Sequence, residues 1–140
     1  MPVQLFVVGV GPYRKALAAA LPDAVFTGHL AGEELATAYA SADVFVFPST
    51  TDTFGNVIIE AQASGLPVVV SDVGGPKELV QDGVSGFVTK ALDVEALSEA
   101  IRTLVNDREL RARMSLAARA SVSDRSWPAA FQRFWAATAT

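Results

Sequence analysis

Val44-Phe45-Val46-Phe47-Pro48-Ser49-Thr50-Thr51-Asp52-Thr53-Phe54-Gly55-Asn56-Val57-Ile58-Ile59-Glu60-Ala61 passes from an apolar run through a hydroxyl-rich loop into a segment of helical composition. The run Val44 to Phe47 is apolar at every position instead of alternating, the pattern of a strand covered on both faces. Leu5-Phe6-Val7-Val8 and Val68-Val69-Val70 repeat it, and Ala24 to Gly28 and Gly86 to Thr89 are shorter strand candidates. Between them Tyr13 to Leu21, Glu33 to Ser41, Asn56 to Ser64 and Val94 to Val105 have helical composition, with a short helical turn at Pro76 to Val80. Strands alternating with helices predict an α/β doubly wound parallel sheet of about five strands with right-handed crossovers. From Val94 the chain reads as helical almost to its end, with breaks at Asn106-Asp107 and near Ser123 to Pro128.

Composition narrows the function. The 140 residues are 51% hydrophobic and 19% charged, enough to bury a core as one domain. Absence of cysteine removes disulfides, thiolate metal sites and cysteine nucleophiles. Eleven basic against fifteen acidic residues, a net charge of -4, argue against nucleic acid as partner, because no surplus cation exists to displace phosphate counterions. No basic leader precedes Leu5, and no apolar stretch approaches the roughly 18 to 20 residues that span a bilayer. The expectation is a cytoplasmic protein, at most peripheral at a membrane surface.

In open α/β sheets ligands bind beyond the carboxyl ends of the strands, so the loops there carry the search. Gly9-Val10-Gly11-Pro12 begins a dinucleotide fingerprint, but Arg14 stands where the third glycine belongs, and a plain tight turn explains it as well. In the second loop Asp52 precedes a helix start at Gly55-Asn56, whose free N–H groups and positive dipole end suit phosphate or sugar oxygens. Asp52 and Glu60 could together accept hydrogen bonds from a polyol, or Asp52 could cap the helix and Glu60 lie in solvent. The third loop, Ser71 to Glu78, brings the paired Gly74-Gly75 to another helix start, or simply turns the chain. His29 is the only histidine and sits in a post-strand loop.

Taken together, Ser41-Ala42-Asp43-Val44 to Ser49, Asp52-x-Phe54-Gly55-x-x-x-x-Glu60-Ala61, Ser64-Gly65-Leu66-Pro67-Val68-Val69, Gly74-Gly75-Pro76-x-Glu78-Leu79-Val80 and Asp82-Gly83-x-x-Gly86-Phe87 resemble the C-terminal half of a group 1 (family 4) glycosyltransferase of GT-B fold. Val8-Gly9-x-Gly11-Pro12, Phe26-x-Gly28-x-Leu30, Glu34-Leu35 and Tyr39 follow the same pattern upstream. The resemblance implies a Rossmann-like domain over 1–140 that binds a nucleotide-diphosphate sugar for retaining transfer to an acceptor hydroxyl, with no metal and no cofactor. The family's E-x7-E pair falls on Asp52 and Glu60. Asp52 would be the catalytic residue, touching the hydroxyls of the transferred sugar, its reach one methylene shorter than glutamate's. Thr53, Phe54, Gly55 and Asn56 would form the substrate-binding loop and helix start, the last three through backbone N–H groups. Glu60 would hold the ribose hydroxyls, with Gly74 and Gly75 near the same pocket.

Two departures shape the expectation further. The family's C-terminal half begins with a strand-loop-helix unit supplying an arginine and a lysine to the diphosphate, and Arg14 and Lys15 do not match those positions. That unit and the N-terminal acceptor domain are missing from this chain, which is therefore expected to be inactive alone. A catalytically inert nucleotide-sugar binding or interaction module is the alternative; a receiver-like signalling domain needs an acidic pair after the first strand and a lysine after the last, a set that Gly9-Val10-Gly11 and Lys90-Ala91 do not supply. Trp127, Phe131, Phe134 and Trp135 are spaced as one helical stripe, for which the expectation is an exposed aromatic patch and self-association.

Overall fold

The structure is a computed structural model and describes residues 3–8, 18–28, 30, 32–48, 56–73 and 75–124. Its elements are β1 (Phe6–Val8), β2 (Val25–Gly28), α1 (Gly32–Ser41), β3 (Phe45–Phe47), α2 (Asn56–Ala63), β4 (Val68–Ser71), a 3-10 turn (Gly75–Glu78), β5 (Gly86–Thr89), α3 (Val94–Asn106) and α4 (Arg108–Asp124). Residues 18–20 are also helical. All the strand pairs are parallel: β1 with β2, and β3-β4-β5 in that order. The predicted α/β class and strand positions hold, with the described strands divided between a two-stranded and a three-stranded sheet.

Strand β4 shows why its sequence is apolar throughout. Val68 and Val70 face a cluster with Tyr39, Ile58, Ala61, Leu66 and Val80, while Val69 faces the other way onto Ala100, Leu104 and Met114. Side chains alternate across a strand, so only cover on both faces makes a continuous valine run favourable. Helix α2 lies against one face and α3 and α4 against the other, with α4 also reaching α2.

The same reading fails at the first strand. Leu5 is 44% and Phe6 58% exposed, and Val25, the register partner of Phe6 on β2, is 42% exposed. An apolar run identifies a strand, but burial depends on which distant elements cover it, and among the described elements β1 packs chiefly on β2. The expected helical turn after the third loop is a single 3-10 turn beginning at Gly75.

Helix ends follow local chemistry. Asp93 caps α3, its Oδ1 accepting from the Ala96 N–H at 2.9 Å. Asp93→Ala should therefore lose about 1 kcal/mol of stability, measured by urea denaturation. The predicted break at Asn106-Asp107 is present: Asp107 Oδ1 accepts from Leu110 N–H, and Arg111 Nη1 donates to the carbonyls of Leu104 and Val105, both at 2.7 Å. The aromatic stripe from Trp127 to Trp135 lies outside the described residues.

Candidate functional site

Strand β3 delivers the chain to the carboxyl edge of the sheet, and α2 starts from that edge at Asn56, where the sequence places its start. Ile58, Ile59, Ala61 and Gln62 on α2 are buried, and Glu60 is its one charged residue, half-buried one turn from the helix start. Glu60 is therefore not the solvated helical glutamate that its spacing alone permits. Its Oε2 accepts a hydrogen bond from the Tyr39 hydroxyl at 2.9 Å, and the same hydroxyl lies 3.5 Å from the Val57 carbonyl.

Tyr39 comes from α1 and is 6% exposed. Its ring tilts against Phe45 at 5.9 Å between centroids, and Phe45 stacks on Phe47 at 6.1 Å, so an aromatic row runs along β3 toward the loop that precedes α2. Burial, reinforced by the nearby Glu60 charge and by the hydrogen bond, pushes the Tyr39 phenol far up, so it remains a proton donor. Burial also raises the Glu60 carboxyl above its ordinary value, and the bond from Tyr39 partly offsets this by favouring the carboxylate.

Two further bonds bring the post-strand segments together. Gln62, fully buried on α2, donates from Nε2 to the Leu79 carbonyl at 2.8 Å, tying α2 to the residues just after the 3-10 turn. Asp72 Oδ1 accepts from the Ala91 N–H at 2.9 Å, tying the segment after β4 to the one after β5. Of the residues expected to form the site, the structure thus places Glu60, and the backbone of Asn56 and Gly75 at two helix starts. Asp52, Thr53, Phe54, Gly55 and Gly74 lie outside the described residues, as does His29. Among the described residues no His, Asp and Glu cluster could hold a metal ion, and no helix is long and apolar enough to cross a membrane.

The Tyr39–Glu60 contact escaped the sequence reading because the two residues stand 21 positions apart on different helices. One signal was available. A tyrosine inside the alanine-rich Ala36-Thr37-Ala38-Tyr39-Ala40 is buried if its helix packs, and a buried phenol needs a partner. Glu60 is the only charged side chain on the helix that faces it.

Comparison with known proteins places this geometry. Residues 2–107 match the family described as Glycosyl transferases group 1. A GDP-mannose-dependent alpha-mannosyltransferase of Corynebacterium glutamicum is 43% identical over 127 residues, 91% of this chain and 31% of that protein. The sulfoquinovosyl transferase of Arabidopsis thaliana is 45% identical over 88% of this chain and 25% of its own length. Among solved structures, Anabaena Alr3699/HepE in complex with UDP superposes with a TM-score of 0.77 at 30% identity, covering 94% of this chain and 37% of that one. The chain spans about a third of the length of these relatives. With the matching segment running through all five strands and through α1, α2 and α3, the chain belongs to the group 1 glycosyl transferases.

Proposed function

We propose that this chain is the donor-binding part of a retaining glycosyltransferase, taking a nucleotide-diphosphate sugar and presenting it for transfer to an acceptor hydroxyl. The observation that carries the reading is the half-buried Glu60 carboxylate, one turn inside the helix that starts at the carboxyl edge of the sheet. Glu60 accepts hydrogen bonds from the ribose diol. Asp52 contacts the sugar, and the N–H groups at the start of α2 and at the Gly74-Gly75 turn face the diphosphate. Breaking the glycosyl–phosphate bond builds negative charge on the leaving diphosphate, and oriented backbone donors stabilise that charge. A diphosphate leaves without a protonating carboxylic acid, so no second acid is required. The Anabaena relative, solved with UDP and with UDP-glucose, supports a nucleotide sugar as the ligand.

The acceptor, and the cations that complete diphosphate binding, are assigned to the part of a longer enzyme that this chain does not match. Its own affinity should then be weak, with Kd above about 1 μM, because one wall of the cleft is open to water. Calorimetric titration with uridine, guanosine and adenosine diphosphates tests this, and submicromolar binding would contradict it. Glu60→Gln should weaken the best of these ligands by about tenfold or more, since it removes a charged acceptor. The chain alone should give no glycosyl transfer beyond slow hydrolysis of the donor. An inert interaction module would bind none of the three diphosphates.

A further inference from the structure

We infer that Tyr39 is a positioning residue for Glu60: its hydroxyl, carried on α1, holds one oxygen of the carboxylate so that the other is presented to the ribose diol. The inference rests on the donor-binding reading of the site. A glutamate has three rotatable bonds, and ordering it when a ligand arrives opposes binding through lost rotamer freedom. The phenol has two, and its ring is fixed between α1 and β3 against Phe45. Its proton has two candidate acceptors, the Glu60 Oε2 at 2.9 Å and the Val57 carbonyl at 3.5 Å, and the shorter distance assigns it to the carboxylate. Phenylalanine would fill the same space, so packing alone does not explain a hydroxyl carried into the core on a residue 6% exposed. What the hydroxyl adds is a fixed orientation for the one charged side chain on α2.

The test compares Tyr39→Phe, Glu60→Gln and the double variant, each checked for folding by thermal melt. The probes are uridine, guanosine and adenosine diphosphates and, as the deoxynucleotides of the comparison, their 2′,3′-dideoxy counterparts, which lack both hydroxyls of the diol. With the best-binding base, Tyr39→Phe should weaken the ribonucleotide about three- to tenfold and leave the deoxynucleotide unchanged. The double variant should match Glu60→Gln. The carboxyl carbon of Glu60, followed by NMR titration, should show its midpoint moving up in Tyr39→Phe, because a bond favouring the carboxylate has gone. In the unmodified chain the Tyr39 hydroxyl proton should be protected from solvent exchange, a measurement independent of any variant. An equal loss for ribo- and deoxynucleotide, an unmoved midpoint or an unprotected hydroxyl would each overturn the positioning role. A loss with Glu60→Gln and none with Tyr39→Phe overturns that role while sparing the donor-binding reading. No effect of Glu60→Gln, or no binding by the unmodified chain, overturns both.

Discussion

Gly86→Ala is expected to destabilise the protein by about 4 kcal/mol or more, among the largest effects of any single methyl group. Gly86 opens β5 opposite Val68 of the central strand β4. A Cβ at this position would fall onto the Val68 carbonyl oxygen, and within 2.8 and 2.9 Å of the Val68 carbonyl carbon and nitrogen. These are backbone atoms of a strand hydrogen-bonded on both sides, so no side chain can swing away and the strand pair itself must shift. Gly65 provides the internal control. Its added Cβ would meet Arg119 Nε at 2.8 Å and Ser115 Oγ at 3.0 Å, ends of side chains that can move. There the strain comes from the left-handed backbone, φ +79°, and an alanine should lose about 1 to 2 kcal/mol. Urea denaturation of the two variants gives the comparison directly; equal losses would mean that β4 yields more than its place in the sheet implies.

Leu104→Ala should lose about 3 kcal/mol. Leu104 is fully buried where α3 meets Val69 on one side and Met114 of α4 on the other. Leucine and alanine have similar helix propensity, so the loss measures packing and the cavity left behind. The Leu104 carbonyl still receives Arg111 in the variant, which leaves the junction between α3 and α4 intact. A loss below about 1 kcal/mol, read by the same denaturation, would show that the neighbours collapse into the space.

What could be read without coordinates divides by the range of the physics involved. The valine run of β4 and the Asn106-Asp107 break were legible because strand alternation and side-chain capping act over a few residues. Leu5 and Phe6 were misjudged as doubly covered, since cover is supplied from elsewhere in the chain. In the sequence Gly86 is only the first residue of a strand candidate; the close approach of Val68 that demands a glycine there is a tertiary fact. At the site, spacing nominated Glu60 and left its solvated alternative standing. Only the neighbouring helix, with Tyr39, decides against that alternative.

The strand order of the larger sheet also bears on how the chain reaches its folded state. Each pair in β3-β4-β5 joins strands separated by a helix or a long connection, so none of the sheet's ladders can form as a hairpin. Closing such distant pairs precedes the gain from burying β4, which places the domain among slower folders, on the order of milliseconds to seconds. On the ribosome, β3 and β4 emerge with one flank of β4 unpaired until Gly86 to Thr89 follow. Through that interval the three consecutive valines, Val68 to Val70, form an apolar strand with a free edge, the segment at which a nascent chain would need shielding from other chains.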